Sequence, residues 1–247
     1  MIESTAEETL DSILGGALRL YQPRRGYRFS VDSVLLARFA AAARPAARVL
    51  ELGAGCGVVA LIYAALIKPR ELLAIEIQPA LAGLIARNAS LNGLGMVRAL
   101  CADLRSRRAL GPGDGGFDLV LANPPFRARA SGRESPHAGR RLARGEATAG
   151  LEDFVGAAAR YARHGGRAAF VFAAARSAEL VSALRARRLE PKRIRFVHPY
   201  AAASASTVLV EARRGGGVEV EVEPPLVMYD APGVYSDAAR ALLTDVP

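Results

Sequence analysis

The sequence predicts an α/β protein whose mostly parallel β-sheet is covered by helices on both faces. Apolar residues make up 51% of the 247-residue chain, enough for a sizeable buried core. From residue 48 onward, short apolar runs typical of buried strands alternate with longer segments of helical periodicity. Such alternation predicts βαβ units and a parallel sheet. In the last third of the chain, strand patterns follow one another without helices, which predicts an antiparallel end to the sheet.

The elements divide the chain into an N-terminal extension, residues 1–47, and a main domain, residues 48–247, within one structural domain overall. In the extension, polar residues Ser30 and Asp32 predict a helix start before an amphipathic run that begins at Val34. The predicted strands of the main domain span 48–52, 72–76, 97–101, 119–122, 168–172, 193–198, 207–211 and 218–223. The predicted helices span 58–67, 79–91, 151–162 and 178–187.

Several classes of protein are excluded by the composition. The longest uncharged stretch, 52–67, is shorter than the about 18–20 residues of a membrane span and is interrupted by glycines. The N-terminus has no basic, apolar signal for export, and the two cysteines, Cys56 and Cys101, cannot form a disulfide framework. We therefore expect a cytoplasmic protein. The three histidines are scattered without zinc-ligand spacing, so no metal site is expected.

A glycine-rich loop, Glu51-x-Gly53-x-Gly55-x-Gly57, joins the predicted strand 48–52 to the helix 58–67. Glycines at this position allow a sharp turn and a close approach to a ligand. The spacing lacks the third glycine of the G-x-G-x-x-G dinucleotide motif, and no G-x-x-x-x-G-K-[ST] loop is present. The loop thus favours a ligand without a pyrophosphate.

Acidic residues follow the next two strands. Glu76 ends one of them, where its carboxylate can accept two hydrogen bonds from ribose hydroxyls. Asp103 follows the other, where it can accept from an adenine amino group. Because ligands of open α/β sheets bind at the carboxyl ends of the strands, these residues and the loop predict a pocket for S-adenosylmethionine. The predicted cofactor residues are Glu51, Gly53, Gly55, Gly57, Glu76, Ile77, Asp103, Leu104 and Asn123.

The motif Asn123-Pro124-Pro125-Phe126 comes directly after the predicted strand 119–122. Two prolines make a rigid turn and leave carbonyls free as acceptors. An amide beside such a carbonyl can hold both hydrogens of an exocyclic NH2 group, and Phe126 can stack on a planar base. Hydrogen bonds that favour a tetrahedral nitrogen direct its lone pair to a methyl donor, so the four residues are the predicted catalytic motif.

Together these motifs resemble the class I methyltransferases that modify planar amino nitrogens, and more narrowly the bacterial tRNA(Val) adenine-N6 methyltransferase family of the "small" methyltransferase group. Blocks from Gly15 to Asp32, from Ser135 to Glu146 and from Pro224 to Tyr235 also match that family. The resemblance implies a Rossmann-like fold with a seven-stranded, mostly parallel sheet and an antiparallel C-terminal hairpin. It implies methyl transfer to an adenine beside a tRNA anticodon. It also implies that the N-terminal extension, with Arg28, Ser30 and Asp32, packs over the cofactor pocket.

The basic residues suggest a polyanionic partner. The chain has a formal net charge of +9, and nearly all its cations are arginines, which bind phosphate with a planar fork. One cluster lies in the long loop directly after Phe126, and we expect it to contact RNA, in particular tRNA: Arg127, Arg129, Arg140, Arg141 and Arg144. A second cluster spans Arg185 to Arg195, for which a solvated helix end is an equally good interpretation.

Other functions stay open at this point. Methylation of a protein glutamine at N5, as in release factors, and of rRNA guanine at N2 pose the same chemical problem and suit the same motif. A non-catalytic module that binds S-adenosylmethionine is disfavoured by the intact Asn123 motif. An O-methyltransferase acting on a small molecule would be expected to show a metal or a histidine base, and neither is evident.

Overall fold

The computed structural model describes residues 7–25, 28–110, 116–125 and 149–244. Within these ranges, no helix combines the length and apolarity needed to cross a lipid bilayer. The N-terminal extension contains an antiparallel hairpin, β1 (Glu8–Ile13) and β2 (Leu18–Pro23), followed by helix α1 (Val31–Ala41).

The main domain alternates strands and helices as the sequence pattern predicts. Its strands are β3 (Arg48–Leu52), β4 (Glu71–Glu76), β5 (Val97–Cys101), β6 (Phe117–Ala122), β7 (Ala162–Ala173), β8 (Leu189–His198), β9 (Thr207–Arg214), β10 (Glu221–Val222), β11 (Leu226–Val227), β12 (Tyr229–Ala231) and β13 (Val234–Tyr235). Its helices are α2 (Val58–Ile67), α3 (Pro79–Leu91), α4 (Leu151–Tyr161), α5 (Ser177–Ala186) and α6 (Asp237–Thr244).

One large sheet runs in the order β10-β8-β9-β7-β6-β3-β4-β5, with β11 also paired to β8. Strands β3 to β7 are parallel to their neighbours within that group, and β9 is antiparallel to both β7 and β8. The seven long strands, β3 to β9, confirm the mostly parallel sheet with an antiparallel C-terminal pair. The two short strands β10 and β11 extend its edge.

Alternate side chains of the strands pack into two separate apolar cores, one on each face of the sheet. In β3, Val49 belongs to the core formed with α1, α2, α3 and the N-terminal hairpin, whereas Leu50 and Leu52 belong to the core formed with α4 and α5. A parallel sheet buried on both faces produces the continuous apolar runs seen in its strands. Glu51 shares the face of Val49 and therefore points toward α2.

Some predicted boundaries are wrong. The strand predicted at 218–223 is reduced to Glu221–Val222, because the carbonyl oxygens of residues 217–219 converge on the Lys192 ammonium group, at 2.7 to 3.2 Å, and Glu219 has a φ of 91°. Strand β8 begins at Leu189 rather than 193, and β7 at Ala162 rather than 168, directly after α4. The N-terminal hairpin was not predicted at all.

Candidate functional site

The glycine-rich loop leaves β3 and turns into α2 at the carboxyl edge of the sheet. Gly53, Gly55 and Gly57 all have positive φ values, of 65°, 58° and 89°, which glycine adopts without strain. A Cβ on Gly53 would lie 2.9 Å from the Phe154 ring of α4, so this position is closed to larger residues on that side. The backbone N–H of Ala54 donates to the Ile75 carbonyl of β4 at 2.9 Å. The loop is thus held between β4 and α4.

Glu76 lies beside this loop at the end of β4. Its two carboxylate oxygens accept from the backbone N–H groups of Gly55 and Gln78, both at 2.9 Å. An ionised carboxylate has about four acceptor sites, so two remain for ligand hydroxyls. The neighbouring Ile77 side chain is 54% exposed, an apolar surface next to the fixed carboxylate. This combination suits a nucleoside, with its ribose at Glu76 and its base against Ile77.

Asp103 lies beyond the end of β5, next to β4. Its carboxylate binds the Arg105 guanidinium through two oxygens, at 3.0 and 2.6 Å, and these hydrogen bonds lower the pKa of Asp103. Leu104, the next predicted cofactor residue, is buried in the core with α4 and α5. The structure therefore brings Asp103 to the predicted edge, already paired with a cation that the sequence interpretation did not include.

Glu51 is buried beneath the loop. One of its carboxylate oxygens accepts from the Ala60 backbone N–H of α2 at 2.9 Å. Burial raises the pKa of Glu51 to about 8, and the nearby Glu76 carboxylate adds to the rise. The rise favours the protonated, neutral form of Glu51 beneath the loop. Burial also raises the pKa of Cys56 to about 12, which keeps this loop residue a thiol.

Asn123 immediately follows β6, which lies next to β3, so the asparagine and the glycine-rich loop are on adjacent strands. Its side-chain Nδ2 donates to the Ser33 hydroxyl of α1 at 3.4 Å. Within the described ranges, Oδ1 of Asn123 takes part in no hydrogen bond, so the amide keeps an acceptor for a ligand. Pro124 is buried and Pro125 is exposed after it. Phe126, the last residue of the predicted motif, lies outside the described residues.

The first turn of α1 connects this asparagine to the C-terminal strands. Ser30 precedes the helix with extended backbone, and its hydroxyl donates to the Asp32 carboxylate at 3.0 Å. The other oxygen of Asp32 accepts from the Thr207 hydroxyl, at the start of β9, at 3.3 Å. Ser33 and Thr207 were not identified from the sequence, since single hydroxyl residues carry no spacing signal.

The Arg28 side chain forms hydrogen bonds with the N-terminal hairpin. Its guanidinium donates to Asp11, Thr9 and the Pro23 carbonyl at 3.0 to 3.2 Å. Its predicted role at the cofactor remains a prediction.

The hairpin is attached to the cofactor edge by Asn88 of α3, which the sequence interpretation missed. This fully buried amide accepts from the Tyr21 backbone N–H at 2.7 Å and donates to the Tyr21 carbonyl at 2.9 Å and the Cys56 carbonyl at 3.0 Å. One side chain thus links β2 to the glycine-rich loop. Its signal in the sequence was an asparagine on the otherwise apolar buried face of α3, which also carries Leu84 and Ile85.

In the second arginine cluster, from Arg185 to Arg195, some arginines form ion pairs and others do not among the described residues. Arg193 and Arg195 approach the Glu223 carboxylate at 2.7 and 3.9 Å, and Arg185 pairs with Glu190 at 3.3 Å. Of the arginines in that cluster, only Arg187 and Arg188 are without an ion pair among the described residues. The first cluster, Arg127, Arg129, Arg140, Arg141 and Arg144, lies outside the described residues.

The order of the strands brings the polar groups together at one edge: Asn123 after β6, the glycine-rich loop after β3, Glu76 after β4 and Asp103 after β5. This arrangement is that of a class I methyltransferase. Residues 30–186 match the methyltransferase small domain family, and the chain belongs to that family.

One sequence relative and two solved structures are similar to this chain. Over 106 residues the chain is 32% identical to a tRNA1(Val) (adenine(37)-N6)-methyltransferase from a Flavobacteriaceae bacterium, a match that covers 42% of this chain and 44% of that protein. The fold is similar to that of a predicted O-methyltransferase from Agrobacterium tumefaciens, with a TM-score of 0.68, 24% identity, and coverage of 85% of this chain and 94% of that one. It is also similar to the Thermus thermophilus 16S rRNA N2 methyltransferase RsmC in complex with AdoMet and guanosine, with a TM-score of 0.57, 21% identity, and coverage of 84% and 50%.

Proposed function

We propose that the protein transfers a methyl group from S-adenosylmethionine to an exocyclic amino nitrogen, and that its substrate is N6 of an adenine in the anticodon loop of a tRNA. The observation that carries the proposal is the position of Asn123. It follows the strand next to the glycine-rich loop, its Nδ2 donates to the Ser33 hydroxyl, and its Oδ1 accepts no hydrogen bond from the described residues. The partial match to a tRNA adenine-N6 methyltransferase supports the choice of base and RNA.

The carboxyl edge fits the cofactor by the chemistry of its groups. Glu76 is already aligned by two backbone N–H groups and keeps acceptor sites for ribose hydroxyls. The glycines Gly53, Gly55 and Gly57 let the backbone lie against the ligand, and Ile77 offers an apolar surface to the adenine. When bound, S-adenosylmethionine supplies an electrophilic methyl group on a sulfonium.

The chain's own residues prepare the amino nitrogen. An aromatic amine is a poor nucleophile because its lone pair is delocalised into the ring. Asn123 Oδ1 and the carbonyl of Pro124 would each accept one N–H of the amino group, which favours a tetrahedral nitrogen with a localised lone pair. The same acceptors stabilise the positive charge that develops as the nitrogen attacks. A loop nucleotide suits this site because an unpaired base is easily turned out of its stack.

The proposal is tested by incubating the protein with radiolabelled S-adenosylmethionine and, separately, total tRNA, total rRNA and peptide release factors. We expect N6-methyladenosine in tRNA. The variant Asn123→Ala should lose at least about 100-fold in turnover while its cofactor affinity stays within a few-fold, because the acceptor acts mainly in the transition state. Label found as N2-methylguanosine in rRNA or as N5-methylglutamine in the protein would overturn the substrate assignment, and unchanged turnover of Asn123→Ala would overturn the mechanism.

A further inference from the structure

Five arginines line a cavity of about 350 Å³ near the C-terminal ends of α4 and α5. We call this the arginine cavity; its arginines are Arg107, Arg160, Arg187, Arg188 and Arg214. The remaining lining residues are glycine and alanine, so no carboxylate of the described residues faces the space. Like charges that converge without a counter-ion repel one another, and a bound anion would relieve that repulsion.

None of the five arginines of the cavity belongs to an arginine–carboxylate ion pair in the described part of the chain. Eleven such ion pairs are present there. Two of the five are held in place by backbone carbonyls instead. Arg160 donates to the carbonyls of Leu104 and Ser106, and Arg214 donates to that of Ala162. The fixed guanidinium groups thus keep N–H donors that no carboxylate in these ranges uses.

The ends of the helices do not explain the whole set. The partial negative charge at a helix C-terminus favours cations, which accounts for Arg160 and Arg187, in or just after the last turns of α4 and α5. Arg107 lies on a loop and Arg214 ends β9, so neither is placed by a helix end. Arg187 also packs closely against α4, where a Cβ on Gly156 would lie 4.0 Å from its guanidinium carbon.

Arg188 provides a separate indication. Its φ is 58°, in the left-handed region that glycine occupies most easily, at the position where α5 gives way to β8. A long cationic side chain here is less favourable for the backbone than glycine, and it adds a positive charge to a site that already has four. The left-handed conformation itself is common at helix ends, so the notable feature is an arginine rather than a glycine at this position of a site that is already cationic.

The arginine cavity lies at the opposite edge of the sheet from the glycine-rich loop. The Tyr161 carbonyl, at the end of α4, accepts from the Gly116 N–H just before β6, and the Arg188 carbonyl accepts from the Gly215 N–H just after β9. Both contacts are at the amino ends of the parallel strands. A six-residue strand such as β6 spans roughly 20 Å, so a ligand that reaches both edges must be at least that long.

We propose that the arginine cavity binds a phosphate group of the RNA backbone and so helps to hold the substrate while a distant base occupies the site at Asn123. This inference rests on the proposed function for the identity of the polyanion. Arginine recognises phosphate oxygens with paired N–H donors, and an RNA loop with its stem has phosphates more than about 20 Å from the target base. A free mononucleotide is too short to contact both edges.

The test compares binding of unmodified tRNA to the wild-type chain, to Arg187→Ala, to Arg188→Gly and to the variant that carries both substitutions. Arg185→Ala is the matched control, since it removes a charge from the last turn of the same helix but from an ion pair outside the cavity. We expect the double variant to bind tRNA roughly tenfold more weakly at low salt. The slope of log affinity against log salt should fall by about 0.7–0.9 for each phosphate that is no longer neutralised.

Arg188→Gly gives a readout that misfolding cannot imitate. Because glycine suits the positive φ, this variant should melt at a higher temperature than the wild type while it binds tRNA more weakly. A second arm measures thermal stabilisation by inorganic pyrophosphate. If pyrophosphate stabilises the wild type but not the double variant and tRNA binding is unaffected, the ligand is a free phosphate compound and the RNA assignment is overturned.

The experiments distinguish a failure of the proposed phosphate site from a failure of the proposed function. Cavity variants with wild-type tRNA affinity, salt slope and pyrophosphate response would overturn the phosphate site, even if the enzyme methylates tRNA as proposed. Conversely, a protein that methylates no RNA but binds tRNA through the cavity would overturn the proposed function and leave the phosphate site standing.

Discussion

Replacement of Asn88 by alanine tests how the N-terminal hairpin is joined to the cofactor edge. The Asn88 side chain is fully buried and makes three hydrogen bonds, at 2.7, 2.9 and 3.0 Å, to backbone groups of Tyr21 and Cys56. Asn88→Ala removes all three and leaves one N–H and two carbonyls without their partner. We expect both the hairpin and the glycine-rich loop to lose support.

The chain offers a matched control one helical turn away. Asn92 also makes three hydrogen bonds, accepting from the Arg19 N–H at 2.9 Å and donating to the carbonyls of Arg19 and Asn88 at 2.6 and 2.7 Å, but it is half-exposed. A net hydrogen bond contributes about 1 kcal/mol, and a buried polar group left unpaired costs about 1–3 kcal/mol. Asn88→Ala should therefore destabilise by about 3–5 kcal/mol. Asn92→Ala should destabilise by about 1 kcal/mol, because water can replace its bonds.

Urea unfolding followed by circular dichroism measures both variants. Asn88 lies inside α3 and Asn92 directly after it, so the small gain in helix propensity from asparagine to alanine applies to Asn88→Ala and works against the expected difference. Isothermal titration with S-adenosylmethionine measures the loop, whose Cys56 carbonyl loses its donor only in Asn88→Ala. If the two variants lose stability equally, within about 0.5 kcal/mol, the burial of Asn88 is not what makes it important and the reasoning is refuted.

Three further predictions concern the same edge. Ser33→Ala should lower kcat several-fold with little change in the KM for tRNA, because the hydroxyl orients Asn123 without contacting substrate; an unchanged kcat would contradict this positioning role. Gly53→Ala should destabilise the protein by about 2 kcal/mol, because Gly53 combines a positive φ with a Cβ position 2.9 Å from Phe154. Gly95→Ala is the control in urea unfolding, since Gly95 has neither feature, and equal effects of the two variants would contradict the prediction. For Glu51, the pKa near 8 in the folded protein exceeds its usual value of about 4.5. Between these two values the folded state holds a proton that the unfolded state has released. The free energy of unfolding therefore falls as the pH rises from about 4.5 to 8. Glu51→Gln cannot titrate and should show a shallower fall in unfolding free energy between about pH 5 and 8, by at most about 1.4 kcal/mol per pH unit; parallel curves would contradict the shift.

The main domain could be predicted from sequence because its signals are local. Strands buried on both faces require continuous apolar runs, and the turn after β3 requires three positive φ values within five residues, which only glycine adopts easily. The polar residues at the strand ends are placed by the topology itself, since parallel strands bring their carboxyl ends to one edge. The positions of Glu76, Asp103 and Asn123 followed from these two facts.

The N-terminal hairpin and its attachment could not be predicted in the same way. β1 carries polar and half-buried residues because one of its faces is open to solvent, so its alternation is weak. β2 is held by the side chains of α3 and the residue after it, about 70 residues further along the chain, through contacts that leave no local pattern. Arg28 is paired with Asp11 of the hairpin, a contact that its position in a family-like block does not reveal, and its role at the cofactor stays a prediction.

The composition likewise showed that the chain is rich in arginine, but not which arginines are available to bind an anion. Arg193 is paired with Glu223 and Arg188 has no ion pair within the described residues, although the two are five positions apart in one arginine-rich stretch. The difference arises from β10, which brings Glu223 alongside β8 through only two strand residues, and from the left-handed turn after α5, which directs Arg188 into the arginine cavity. Net charge is a sum over all residues, whereas phosphate binding depends on donors that remain unneutralised and converge. The arginine cavity, rather than the formal charge of the chain, is therefore the better guide to where a polyanion binds in the described structure.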